Sequence, residues 1–207
     1  MAAVSRRQRG RTDADGAARG QGTSSEAVVV IPVKAFSQAK MRLSPVLSPS
    51  ERATLARTMA EHVIKVARPL PVVVVCDDRE VAQWARNVGA RALVEPGAGL
   101  NGAVGIAFAE LGREGYKRII VAHGDLPLAT NLAWLAEVDG VVLVPDRHEE
   151  GTNVLSLPAG SDFRFSYGTG SFARHCAEAE RLGLAWQVVR DAELGWDVDF
   201  PIDLVAL

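Results

Sequence analysis

The chain has 207 residues, 48% of them hydrophobic, and a formal net charge of −2. That is enough for one α/β domain with a full core, and too little positive charge for a nucleic-acid binder relying on a broad basic face. Two cysteines, Cys76 and Cys176, are too few for a disulfide scaffold or a zinc cluster and read as reduced packing residues of a cytoplasmic protein.

Residues 1–26 carry Arg6, Arg7, Arg9, Arg11 and Arg19 among Gly, Ala, Ser and Gln, without apolar periodicity. This composition predicts a disordered extension, and it lacks the apolar stretch of a secretory signal. The folded domain is therefore expected over 27–207, and no window in it reaches the roughly 18 unbroken apolar residues of a membrane span.

Residues 28–31 form a continuous β-branched run, the pattern of a strand buried on both faces of a parallel sheet. Pro32 ends the ladder, and Lys34, Lys40 and Arg42 follow in irregular chain. Open α/β sheets bind ligands past the carboxyl ends of their strands, so these cations suit a polyphosphate.

Ser48-Pro49-Ser50-Glu51 holds a cap, a first-turn proline and a capping-box glutamate, which predicts a helix over 49–66 with Leu55, Met59, Val63 and Val66 on its buried face. A second strand over 72–75 ends in Cys76-Asp77-Asp78, and Val81, Trp84, Ala85 and Val88 mark a short amphipathic helix. A strand over 91–94, a helix over 101–111 and a strand over 118–122 continue the alternation. A helix over 129–137 and a strand over 141–144 follow, with a possible strand over 153–157, a helix over 171–182, a strand over 185–189 and a short terminal helix opened by Pro201. Alternation at this period predicts a single α/β domain, a mainly parallel mixed sheet with right-handed crossovers and helices on both faces.

Asp125 follows a buried strand and a glycine, so its carboxylate should project at the carboxyl edge. Asp197 and Asp199, two apart in extended chain, point to one side. Together they suit a hard divalent cation such as Mg²⁺, which takes oxygen ligands and leaves room for phosphate and water. Without a cation such carboxylates repel one another, so Asp199→Asn is expected to leave the fold intact or firmer. No Walker motif is present, and the four histidines lack metal-ligand spacing.

One rival pattern is present: Gly97-Ala98-Gly99-Leu100-Asn101-Gly102 matches the dinucleotide-binding Gly-x-Gly-x-x-Gly. It follows the third strand rather than the first, Pro96 interrupts its junction, and it leaves the cations and the Asp197/Asp199 pair without a role. A non-catalytic dinucleotide-binding module stays open on this pattern, as does a nucleotidyltransferase acting on a sugar phosphate or molybdopterin.

Lys34, Lys40 to Leu43, Gly99-Leu100-Asn101, Gly124-Asp125-Leu-Pro, Gly151-Thr152-Asn153, Gly168-x-Gly170-Ser171 and Asp197-Val-Asp199-x-Pro occur in one order. In that order they resemble the 2-phospho-L-lactate or phosphoenolpyruvate guanylyltransferase family of coenzyme F420 biosynthesis. The resemblance implies a nucleotide-diphospho-sugar transferase type of Rossmann-like fold, with GTP and a phosphorylated three-carbon acid as substrates. It places Lys34, Lys40 and Arg42 on the triphosphate, and Glu95, Pro96, Gly97, Leu100 and Asn101 around the guanosine. Asp125, Asp197 and Asp199 would hold Mg²⁺, with Lys34 also near the chemistry, and Thr152, Gly168 and Ser171 would take the acceptor's carboxylate. The resemblance allows a homodimer and a downstream transferase that takes the product, with no nucleic-acid or membrane partner. Met41 and Thr169 depart from the family pattern without touching a charged position.

Overall fold

The computed structural model describes residues 26–206, so the expected N-terminal extension lies outside the described residues but for Glu26. β1 (Ala27–Pro32) has no polar face to offer, and it is buried from Ala27 through Ile31. It pairs in parallel with β2 (Val72–Cys76) on one side and β4 (Arg118–Ala122) on the other. β3 (Arg91–Val94) extends the parallel half beyond β2. Past β4 the direction changes. β6 (Thr152–Pro158) runs antiparallel to both β4 and β5 (Val141–Pro145), and β7 (Trp186–Val188) closes the sheet parallel to β5. The seven strands lie in the order β3-β2-β1-β4-β6-β5-β7.

Alternation along β1 divides the core. Val29 and Ile31 face a layer that includes Val63 of α1 (Pro49–Val66) and Ala85 of α2 (Arg79–Asn87), whereas Val28 and Val30 face α3 (Gly99–Arg113) and Ala179 of α4 (Ser171–Arg181). The start of α1 is fixed by a reciprocal cap. Glu51 N donates to Ser48 Oγ at 3.3 Å and Ser48 N donates to Glu51 Oε2 at 2.7 Å, as the sequence signal requires. Asp78 caps α2 by accepting from Val81 N at 3.0 Å. Among the described residues no helix is long and apolar enough to cross a membrane, and both cysteines are free.

One expected element is different. Over 129–137 the chain forms only a 3-10 turn, Ala133–Glu137. Asn131 Oδ1 accepts from Ala133 N at 2.7 Å, a local side-chain bond that competes with helix formation, and Ala129 O is taken by His62 Nε2 at 2.6 Å. Ala129, Leu132 and Leu135 are nevertheless buried, so the segment covers the core without a regular helix.

Where β5 and β7 begin, Gly140 has φ 73° and an added Cβ would lie 2.4 Å from Ala185 O, the same carbonyl that accepts from Val141 N at 2.8 Å. Gly140→Ala should therefore lower stability by about 2 kcal/mol or more, read as a lower urea midpoint with unchanged slope.

Candidate active site

Beyond Pro32 the chain makes two 3-10 turns, Phe36–Gln38 and Met41–Leu43. Each is anchored by one apolar side chain: Phe36 packs edge-on against Trp84 with centroids 5.0 Å apart, and Leu43 is fully buried. Between these anchors Lys40 adopts the left-handed conformation at φ 53°, ψ 42°, which costs a non-glycine residue on the order of 1 kcal/mol. Its ammonium bonds the Asp125 carboxylate and lies 3.4 Å from Asp199 Oδ1. Arg42 reaches the other oxygen of Asp199 at 2.9 Å, with its guanidinium over the Phe200 ring.

The carboxylates arrive from two distant segments. Asp125 follows β4, and Val198 N donates to Asp125 O at 3.3 Å, which seats the extended chain carrying Asp197 and Asp199 beside it. Val198 is buried with Leu43 and Met59, so the apolar side chain between the two aspartates anchors them. Asp203, 1% exposed, accepts from Asp199 N at 2.8 Å and Phe200 N at 2.7 Å, and its other oxygen pairs with Arg147. Arg147 also donates to Asp197 O at 3.0 Å and stacks on Trp196 with its guanidinium carbon 4.3 Å from the ring centroid.

Burial would lower the Lys40 ammonium, but Asp125 and Asp199 outweigh it and hold the group above its ordinary value. Burial would raise Asp125, and Lys40 with His123 instead holds it below the usual carboxylate range. Asp197 goes the other way: burial, then the charges of Asp125 and Asp199, push it up. Lys40 and Arg42 thus satisfy Asp125 and Asp199, whereas among the described residues Asp197 has only Arg147, 4.0 Å from its Oδ1, against the charges of the two neighbouring carboxylates. Stability without metal is accordingly expected to fall slightly in Asp199→Asn, because Asp199 already neutralises Lys40 and Arg42; the self-repelling cluster expected from the sequence is bridged by cations.

Among the described residues no three His, Cys, Asp or Glu side chains form a ready ligand set for a metal. The residues still fit a hard cation: Asp125 Oδ1 is buried without a hydrogen-bond partner, Asp197 stands in a field of two carboxylates, and Mg²⁺ commonly needs only one or two protein carboxylates.

Further along the same edge, Glu95 through Leu100 follow edge strand β3, and Pro96, Gly97 and Gly99 are exposed. Gly97 and Gly99 have φ of 76° and 63°, a turn that lets the chain enter α3. Asn101 is used within the protein: it accepts from Tyr167 N at 2.6 Å and donates to Tyr167 O at 3.3 Å, so it pins the 163–170 loop. Leu100 packs on the core, and Lys34 is exposed.

On the opposite side, antiparallel β6 begins at the edge where the parallel strands end. Its first residue, Thr152, meets Ser171 of α4 at 3.5 Å between hydroxyls, and Gly168 O accepts from Ser171 N at 2.9 Å. His123, Arg147, Tyr167, His175 and Asp203 were not among the expected site residues; His123 and His175 lack metal-ligand spacing, and His175, expected at the surface or core edge of its helix, is fully buried. Asp203 and His175 had detectable signals: an acid three residues past Phe200 at a helix start, and a histidine one turn after Ser171 on the same face.

This fold is shared with solved nucleotidyltransferases. A nucleotidyl transferase from Methanothermobacter thermautotrophicus superposes with a TM-score of 0.63 at 16% identity, covering 87% of this chain and 94% of that one. A protein described as a nucleotide-diphospho-sugar transferase, from Desulfovibrio desulfuricans G20, gives a TM-score of 0.70 at 18% identity, covering 87% and 85%. The chain belongs to the CofC-like guanylyl transferase family, whose model matches residues 27–207. A phosphoenolpyruvate guanylyltransferase of Sphaerobacter thermophilus is 38% identical over 190 residues, 87% of this chain and 91% of that protein. A 2-phospho-L-lactate guanylyltransferase of Methanothermobacter thermautotrophicus is 38% identical over 184 residues, 84% and 81% respectively. The protein is thus a nucleotidyltransferase, and the glycine-rich turn after β3 belongs to that enzyme fold rather than to a dinucleotide-binding module.

Asp203→Ala leaves Arg147 half-paired and frees two backbone N–H groups, so stability should fall by about 3 kcal/mol, measured by chemical denaturation. His175 is fully buried and pushed down to about 4, by burial first and then by Arg174 and His123. Above about pH 6.5 it is neutral in both folded and unfolded chains. As pH falls from 6.5 towards 4 the unfolded chain takes a proton that the folded one refuses, so stability is lost across that window, by about 3 kcal/mol in total. The difference in unfolding free energy between wild type and His175→Phe, followed from pH 7 to 4, should show this loss in the wild type alone.

Proposed function

We propose that the protein transfers GMP from GTP to the phosphate of phosphoenolpyruvate or 2-phospho-L-lactate, a step of coenzyme F420 biosynthesis. The observation that supports this most is the meeting of Lys40, Arg42, Asp125 and Asp199 at the sheet's carboxyl edge in a chain 38% identical to guanylyltransferases of both names. An acceptor phosphate oxygen attacks the α-phosphorus of GTP, a new P–O–P bond forms, and the bond to the β-phosphate breaks with its electron pair leaving on pyrophosphate. A phosphate is already anionic near neutral pH, so the site needs no general base, and alignment with charge neutralisation carries the step.

In this reading Lys34, Lys40 and Arg42 hold and neutralise the triphosphate, and Lys40 exchanges carboxylate for phosphate oxygens as the nucleotide enters. Residues 95–100 frame the guanosine, and Asn101 contributes by holding the loop that carries Tyr167. Thr152, Gly168 and Ser171 hold the acceptor's carboxylate, which aims its phosphate at the α-phosphorus. Mg²⁺, when bound by Asp125, Asp197 and Asp199, supplies positive charge to the phosphate oxygens.

Incubation with GTP, Mg²⁺ and phosphoenolpyruvate, 2-phospho-L-lactate or 3-phosphoglycerate, with the downstream transferase present to consume an unstable product, should release pyrophosphate with at least one acceptor. Silence with all three, or turnover only with a sugar phosphate or molybdopterin, would overturn the reading. Asp199→Asn should reduce turnover on the order of a hundredfold or more. Wild-type turnover per folded molecule in that variant would remove Asp199 from the site.

A further inference from the structure

His175 lies between a backbone donor and a hydroxyl. Ser166 N donates to His175 Nε2 at 3.0 Å, and the opposite nitrogen, Nδ1, is 3.0 Å from Thr152 Oγ1. A backbone N–H can only donate, so Nε2 must present its lone pair and the single proton of the neutral ring must sit on Nδ1. The ring is fully buried and held neutral, which excludes the doubly protonated form near pH 7. Nδ1–H therefore donates to Thr152, and the direction of the next bond is fixed by counting protons.

Thr152 and Ser171, each 1% exposed, carry one hydroxyl proton apiece, and their oxygens are 3.5 Å apart. With Thr152 already accepting from His175, only one of the two protons can be used between them, and one is left over. With the opposite tautomer, Ser171 would donate to Thr152 and Thr152 to Nδ1, and no proton would remain. Among the described residues the Thr152 and Ser171 hydroxyls have no further hydrogen-bond partner. The leftover donor lies where β6 begins and α4 starts, beside the positive end of the helix dipole.

We propose that His175 is a positioning residue that fixes the Thr152/Ser171 pair as a net hydrogen-bond donor for an anionic oxygen of the acceptor. The relay runs from Ser166 N–H through the ring to Thr152, and its product is a hydroxyl whose unused proton can be donated to a carboxylate, which only accepts. Acceptors with a carboxylate next to the phosphate are favoured, and those with a neutral hydroxyl or amide in that place lose the charge-assisted bond. The inference rests on the acceptor reading given above, although the proton position does not.

The proton position is read directly from the unliganded wild type by long-range ¹H–¹⁵N NMR at neutral pH, with His175 assigned by the loss of its signals in His175→Phe. A pyrrole-like Nδ1 and a pyridine-like Nε2 are expected; the reverse pattern overturns the inference whatever the activity. In steady-state kinetics, His175→Phe and Thr152→Val should each raise the acceptor KM about tenfold while the GTP KM stays within about twofold. The double variant should be no worse than the poorer single one, and His175→Asn, which keeps a donor at the Nδ1 position, should recover part of the loss. Equal increases in both KM values, or additive losses in the double variant, make His175 merely structural and overturn the inference. Absence of turnover in the wild type with every acceptor falls on the proposed reaction, and the spectrum still decides the relay.

Discussion

The site depends on a buried ammonium between two carboxylates. Lys40 belongs to the chain after the first strand, Asp125 to the end of the fourth, and Asp199 to the last ten residues, so one charge joins three parts of the fold. Removing water from such a group is expensive, and the two carboxylates with the surrounding apolar packing make the arrangement stable. The strained backbone at Lys40 has the same origin. Phe36 and Leu43 are each buried on either side of it, and between them the left-handed turn is the conformation in which Lys40 meets the two carboxylates. In the free protein the cluster is a preorganised set of opposite charges that already neutralise one another, so any charged ligand entering it would replace interactions that the protein already makes.

β1, β2 and β4 were legible because they are buried over nearly their whole length and therefore carry runs of apolar residues. The start of α1 was legible to the residue because Ser48, Pro49 and Glu51 state the cap chemistry locally. The 129–137 segment was not, since the apolar spacing of Ala129, Leu132 and Leu135 suits a helix while Asn131 offers its backbone a competing bond. Burial alone set the spacing, and the local hydrogen bond set the backbone.

The charged residues of the site were legible one by one, but their mutual arrangement was not. Sequence position brings Lys40 and Arg42 to the carboxyl edge of the sheet, yet nothing local says that they pair with Asp125 and Asp199 in the free protein. Asn101 illustrates the same limit. Its place in the glycine-rich turn suggests a nucleoside contact, whereas its side chain is committed at both ends to the backbone of Tyr167, 66 residues away. Long-range hydrogen bonds carry no periodicity and leave no spacing to read.

The antiparallel strand brings a second set of side chains to the carboxyl edge beside the charged cluster. Parallel strands deliver only their ends to the carboxyl edge, and the residues there lead into crossovers; a strand running the other way delivers its beginning. β6 does this through the 146–151 turn, in which Asp146 accepts from His148 N, Glu150 N and Gly151 N at 2.9, 3.0 and 2.7 Å. A Cβ on Gly151 would stand 2.7 Å from Asp146 Oδ2, so a side chain there would displace the carboxylate that holds the turn. The turn ends directly at Thr152, whose strand position opposite Pro145 is set by a register shift in the ladder. Thr152 is therefore held by a sheet on one side and by α4 on the other, rather than by a loop. Rigid support of that kind is what a hydroxyl needs if its proton is to have a fixed direction before any ligand arrives.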